Sequence, residues 1–236
     1  MVERGLGRLG WKRILVFPQE ASPVKCATIA PPRPNWIVEF IMLGKSDLLA
    51  ALVGQNLGLK TTTSDKAAIL ALITRLEERN PTPYPIEQPA KLAGDWQLLY
   101  TTSRELLGIN RPPIANLGAI YQCIRPDRQT IYNLAELNNN FPWLEGYVAV
   151  AARFEALSAV RVAVRFQRIV VGSQRLANYR QITDWVDRAE QGDQFRSLNF
   201  TLNPVQQQGW LDVTYLDDDL RIGRGNEGSV FVLRRV

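Results

Sequence analysis

The sequence predicts a mainly β protein: a closed antiparallel barrel of about eight or nine strands with a helical pair on its N-terminal side. Three observations carry that prediction. From Trp210 the chain ends WLDVTYLDDDLRIGRGNEGSVFVLRRV, three apolar-alternating runs (210–216, 220–225, 229–235) separated by the acidic and glycine-closed turns that tight hairpins need. Nearer the middle, LAGDWQLLYTTS at 92–103 opens a strand on Gly94-Asp95-Trp96. A first strand opening on Gly-x-Trp and a last strand ending in arginine can close a barrel with a guanidinium over the indole face. Arg224, Arg234 and Arg235 are the candidates for that contact. Between the two segments lie further alternating runs, and a closed ring uses them all and leaves no free edge. Two packed sheets are the alternative, because periodicity does not separate them from one sheet that closes.

Residues 1–41 have prolines at 18, 23, 31, 32 and 34 and no sustained period, so they read as a disordered tail or as sequence upstream of a natural start at Met42. Residues 42–90 read as a helical cap and connector. Ser46-Asp47 caps a helix with Leu48, Leu49, Leu52 and Val53 on one side. Ser64-Asp65 starts a second, with Ile69, Leu72, Ile73 and Leu76 on one face, stopped by Asn80-Pro81. Prolines 81, 83, 85 and 89 stiffen the connector. Residues 91–236 are the barrel. After the strand at 96–101, 103–107 reads as one helical turn and 111–117 as loop. Strands follow at 118–125, 130–137, 147–155 and 160–171, with a further candidate at 175–179. Residues 183–192 read as a short helix or a surface loop, and 195–202 returns to strand before the C-terminal meander.

With 46% apolar residues, 236 positions suffice to bury a full core. Nothing approaches about 18 consecutive apolar residues, the length of a helical membrane span. The two cysteines, Cys26 and Cys123, are far apart and suggest neither a disulfide framework nor a zinc site. There is no histidine, which removes the commonest general base and transition-metal ligand and excludes Ser-His and Cys-His nucleophiles. The acidic triplet Asp217-Asp218-Asp219 reads as a solvated turn, since three consecutive acids cannot all face one ion, and no metal or cofactor is expected. Glycines 223, 225 and 228 read as turn or bulge, because no helix follows them as a phosphate loop requires.

The segments LAGDWQLLYTTS, GAIYQCI at 118–124 and LDVTYLDDDLRIGRGNEGSVFVL at 211–233 together resemble the plastid lipid-associated protein family, also called fibrillins, in a cyanobacterial-type form. The resemblance implies a lipocalin-like β-barrel without known catalytic residues. It also implies association with the cytoplasmic side of thylakoid membranes, with plastoglobule-like lipid bodies or with the cytoplasm.

Two function classes follow. One is a non-enzymatic carrier or coat for apolar lipid: a prenyl lipid, carotenoid, quinone or fatty acid. The other is a scaffold with a solid barrel that works through protein partners. For the carrier, Ala149, Ala151 and Ala163 among Tyr147, Phe154, Val164 and Phe166 give the wall room for a ligand. Trp96, Tyr100 and Tyr215 join the expected lining, and Arg221 or Arg224 near one mouth is expected to orient a polar headgroup. Every basic residue after Lys91 is arginine, and Arg153, Arg161, Arg165, Arg168, Arg175 and Arg180 fall on neighbouring candidate strands with only Glu155 against them. Such a stripe suits anionic headgroups at a peripheral membrane surface. Nucleic acid is not expected, because Phe154, Phe166 and Tyr179 read as partly internal and leave no exposed stacking platform.

Overall fold

Alternating side chains and tight turns dominate the chain from Gly94 onward, and in the computed structural model those runs pair into one sheet that closes on itself. The structure describes residues 35–107, 116–192, 195–202, 208–226 and 228–236. Most of the tail expected at 1–41, and most of the loop expected at 111–117, lie outside the described residues; 35–41, the end of that expected tail, are helical.

Two helices come first, α1 (Asn35–Leu52) and α2 (Thr63–Glu77). The start of α1 corrects the expectation of a cap at Ser46-Asp47. The apolar run at 36–41 continues into the helix, which passes through Met42 and Ser46 without a break. The cap of α2 is Thr62, not Ser64: its hydroxyl accepts from the Asp65 amide while the Asp65 carboxylate accepts from the Thr62 amide, a capping box. A single helical turn, α3 (Pro89–Leu92), leads into the first strand.

The strands are β1 (Gly94–Thr101), β2 (Asn116–Arg125), β3 (Thr130–Asn138), β4 (Gly146–Ala156), β5 (Arg161–Ser173), β6 (Ser197–Thr201), β7 (Gln208–Leu216), β8 (Leu220–Gly225) and β9 (Val230–Arg235). Two further helices, α4 (Arg104–Leu107) and α5 (Ile182–Glu190), lie in the connections after β1 and β5. All pairings are antiparallel in the order β4-β3-β2-β1-β9-β8-β7-β5, and β4 pairs with β5 to close the ring of eight. Closure decides against two packed sheets. The ninth strand, β6, continues the line of β7 along the same edge of β5: β7 pairs with residues 161–165 and β6 with residues 168–172. Residues 175–179, expected as strand, are instead turns closed by Ala177 N to Ser173 O (3.0 Å) and Tyr179 N to Gln174 O (2.8 Å), with Asn178 left-handed at φ 48°. Of the two readings for 183–192, helix is the one found. Ile182, Trp185 and Val186 share its buried face at helical spacing.

Apolar side chains separate into three clusters. One lies inside the barrel around Trp96, Leu98, Ile124, Ile131, Val213 and Leu233. A second lies outside it, where Leu48, Leu52, Ile69, Ile73 and Leu76 of α1 and α2 cover Tyr100, Tyr215, Ile222 and Val232. A third lies outside the opposite wall, where α5 covers Cys123, Leu134, Tyr147, Ala149 and Val170. The barrel wall is thus buried on both faces over much of its circumference.

Candidate functional site: the barrel chamber

Strand connectivity gives the barrel two unlike ends. The β2–β3, β4–β5 and β7–β8 turns gather at one end with α3 and the C-terminal Arg235. The β1–β2, β3–β4 and β8–β9 connections gather at the other.

The first end is a floor. Trp96 is fully buried there, and its indole N–H donates to Leu92 O of α3 at 3.0 Å. In the β1–β9 register Arg235 stands directly opposite Trp96, and its guanidinium lies 4.2 Å from the ring centroid. Arg235 also donates to the carbonyls of Ala93 (2.6 Å) and Asp218 (2.8 Å) and to that of Lys91, tying α3 and the β7–β8 turn to the floor. Gly94 must be glycine for this to happen: its φ is +118°, and a Cβ there would sit 2.7 Å from the Arg235 guanidinium. Of the three arginines that the sequence leaves open for the indole, Arg235 makes the contact, Arg234 is exposed, and Arg224 lies outside the wall.

Above the floor is a chamber of about 490 Å³, within the range of small-molecule sites. Leu98, Ile131, Val150, Val164, Phe166 and Val213 supply its apolar wall, and Leu106 of α4 lies at its mouth. Room comes from glycines: Gly209, Gly223 and Gly225 line the chamber. In register they stand opposite Val164, Val213 and Leu211. Ser103, Glu105, Asn226 and Ser229 make the mouth polar, and a second polar group lies low in the chamber. Gln122 Nε2 donates to Asn133 Oδ1 at 2.7 Å, and Arg221 donates to Gln122 Oε1. Arg221 is 2% exposed, with its guanidinium 5.0 Å from the Trp96 ring. Burial, and then the positive charge of Arg235, push its pKa down to about 9.

The expected lining residues divide. Val164, Phe166 and Arg221 line the chamber, Phe154 packs against the interior cluster, and Trp96 forms the floor. Tyr100 and Tyr215 face outward beneath α1 and α2, because bulges between Leu98 and Tyr100 and between Val213 and Tyr215 reverse the facing that strict alternation predicts. Ala149 lies under α5, Ala151 pairs with Tyr132 on the same outer face, and Ala163 borders a separate surface hollow beside Arg153 and Arg165. Small residues do make the room, but they are the glycines of β7 and β8. Arg224 is on the outer wall, bound through two N–H groups to Glu77 of α2 at 2.8 and 2.7 Å. Arg221 is at the floor end and not at the mouth, since it is the second residue of the strand that leaves the closed-end turn. Sequence reasoning passed over Gln122 and Asn133, whose signal is a polar residue inside an otherwise apolar inward row.

On the outer surface the arginine stripe is partly neutralised. Arg161 makes a two-bond pair with Asp212 (2.6 and 2.8 Å) and stacks 3.8 Å over Trp210. Arg165 meets Glu155 at 3.0 Å, and Arg153 donates to the Arg128 carbonyl at 3.0 Å. Arg168, Arg175 and Arg180 are exposed. The acidic triplet is no open turn: Asp217, at 2.9 Å, and Asp219 both accept from Lys45 of α1. Burial opposes the Lys45 charge, yet these two carboxylates outweigh it and raise its pKa. Among the described residues no group of three His, Cys, Asp or Glu side chains converges as a metal site would, and no helix is long and apolar enough to cross a membrane.

A closed eight-stranded barrel with a Trp–Arg floor and an apolar chamber is a lipocalin-like calyx. The chain belongs to the plastid lipid-associated protein and fibrillin family: the family model PAP_fibrillin matches residues 42–234. It is 32% identical over 215 residues to the chromoplast-specific carotenoid-associated protein of Cucumis sativus, covering 80% of this chain and 66% of that one. It is 33% identical over 218 residues to plastid lipid-associated protein 1 of Brassica campestris, covering 81% and 66%. With plastoglobulin-1 of Pisum sativum it shares 31% identity over 220 residues, covering 81% and 60%. The chain thus spans no more than about two thirds of the length of these relatives.

Proposed function

We propose that this protein holds an elongated apolar ligand (a prenyl lipid, carotenoid, quinone or fatty acid) in the barrel chamber and performs no chemistry on it. The observation that carries the reading is the chamber of about 490 Å³, walled by Leu98, Val164, Phe166 and Val213. A barrel that acted only as a scaffold would be filled by its own side chains, as eight strands permit. The names of the relatives, carotenoid-associated, lipid-associated and plastoglobulin, support a lipid as the occupant. The absence of histidine from the sequence supports a binding role over a catalytic one.

The setting we infer is the surface of a photosynthetic membrane or a plastoglobule-like lipid body, met mouth first. Phe141, Trp143 and Leu144 in the β3–β4 connection are 52%, 60% and 58% exposed, and Leu198 and Phe200 of β6 are 65% and 51% exposed. Aromatic and aliphatic side chains exposed around an opening suit an interface between water and lipid. Native mass spectrometry and organic extraction of the protein isolated from a photosynthetic host test the reading. Recovery of a stoichiometric apolar ligand is expected. Repeated recovery of empty protein, with no thermal shift on adding quinone, carotenoid or fatty acid, overturns the carrier and leaves a scaffold that coats lipid or engages protein partners.

A further inference from the structure

Arg221 is a cation placed where a purely apolar ligand would need none. Its strand neighbours in register are Leu216 and Leu233, both apolar and buried. Among the described residues its one hydrogen-bond acceptor is Gln122 Oε1, and its Nε is buried with no partner. A guanidinium carries five N–H donors, so most of the hydrogen-bonding capacity of Arg221 is unspent. Among the described residues no carboxylate pairs with it: of the nearest acids in sequence, Asp217 and Asp219 are held by Lys45, and Asp218 is exposed and 3.9 Å from Lys91. The neighbouring charge is another cation, Arg235, whose donors go to backbone carbonyls. The chamber floor therefore holds buried positive charge and no counter-ion. A buried, unpaired charge is destabilising, and leucine at this position would pack the floor without that cost.

Resting on the chamber reading above, we propose that the ligand is an acidic amphiphile that enters headgroup first. Its carboxylate docks on the Arg221 guanidinium beside Gln122 and Asn133, and its hydrocarbon chain fills the chamber toward the mouth. Guanidinium and carboxylate match as a planar two-bond pair, and one carboxylate balances one arginine. The direction follows from the strand: Arg221 is the second residue of β8, at the floor, and Gly225 ends the strand at the mouth, about 13 Å away at the usual rise per residue. The wall between them is made of Val164, Phe166, Leu211, Gly223 and Phe231, which suit hydrocarbon.

The test compares four probes of equal chain length, hexadecanoic acid, hexadecanol, methyl hexadecanoate and hexadecyl phosphate, for binding to delipidated full-length protein at neutral pH. The acid is expected to bind about ten- to a hundredfold more tightly than the alcohol or the ester, the worth of a charge-assisted hydrogen bond. In Arg221→Met that preference is expected to collapse while affinity for the alcohol is retained, and Arg221→Lys is expected to restore part of it. Equal affinity of the wild-type protein for acid and alcohol overturns the headgroup assignment and leaves the chamber reading standing. No binding of any probe overturns the chamber reading itself. Tighter binding of hexadecyl phosphate than of the acid overturns the carboxylate in favour of a phosphate headgroup. Should Arg221→Met fail to fold, the wild-type ratio of acid to alcohol decides the matter alone.

Discussion

At the scale of single residues, Gly94, Trp96 and Arg235 determine one another. The guanidinium needs the indole face, and the space it occupies forbids a Cβ at Gly94. Trp96→Ala removes a large, fully buried ring and is expected to cost about 3–5 kcal/mol in urea denaturation; a loss under about 1 kcal/mol would refute the role of this residue as the floor. Arg221 works the other way. Burial and the nearby Arg235 depress its pKa from the usual arginine range to about 9, so the unfolded chain holds that proton more tightly than the folded one. Its contribution to the stability of the empty protein therefore rises as pH climbs through about 9 and levels off only at the higher pH where the unfolded chain also loses that proton. Arg221→Met is accordingly expected to leave empty protein at least as stable at neutral pH, and thermal melts without ligand check this. Much of this scale was legible in the sequence: Gly-x-Trp and a terminal arginine announced the floor, and only register could choose Arg235. What misled was parity. Tyr100 and Tyr215 keep the alternation of Leu98 and Val213 in the sequence, but a bulge lies between each pair, and bulges leave little trace in side-chain pattern.

At the scale of elements, the helices hold the barrel from outside through a few charged contacts laid over apolar ones. Asp95, on the outer face of β1, accepts from Thr183 of α5 at 2.7 Å and from Arg125 at 2.9 Å. Burial alone would raise its pKa, but the hydrogen bonds from Thr183 and Arg125 prevail and lower it. The stabilisation is therefore present in full above the unfolded-state value near 3.8 and is lost as pH falls through the lower folded value. Asp95→Asn is expected to be less stable than wild type at neutral pH, with the two stabilities converging at the acid end of a denaturation series; a constant gap would rule out this linkage. On the opposite wall, Lys45→Ala takes the cation from Asp217, whose side chain is 18% exposed and keeps only the neutral donors Tyr215 Oη and the Asp219 and Leu220 amides, and is expected to cost about 1–3 kcal/mol. Helix existence was readable from the spacing of Ile69, Ile73 and Leu76. Helix limits were less so: Ser46-Asp47 has the composition of a cap, yet the apolar run before it extends α1 upstream. The Lys45 clasp was not readable, because its partners lie more than 170 positions away and only the packing of α1 on the β7–β8 turn brings them together.

At the scale of the whole molecule, the barrel was legible because each strand carries its own alternation and each hairpin its own turn chemistry, while closure through β4 and β5 is a property of the ring that no single strand states. The same scale decides how the protein would meet a lipid surface. The sequence points to the arginine stripe, but two of its six members, Arg161 and Arg165, are paired with Asp212 and Glu155. Of the other four, Arg153 donates to the Arg128 carbonyl, and Arg168, Arg175 and Arg180 are each worth on the order of 1 kcal/mol near anionic lipid and are screened by salt. Phe141, Trp143 and Leu144 offer more, since fully burying one such side chain is worth about 1.5–3 kcal/mol and salt does not screen it. Sedimentation with vesicles separates the two contributions. Wild-type protein is expected to pellet with neutral vesicles, and somewhat more with anionic ones at low salt. The combined change Phe141→Ser, Trp143→Ser and Leu144→Ser is expected to abolish the neutral component. Changing Arg168, Arg175 and Arg180 to glutamine should remove only the anionic increment. Pelleting that requires anionic lipid, vanishes with added salt and ignores the triple serine change would return the contact to the arginines and turn the barrel mouth away from the membrane.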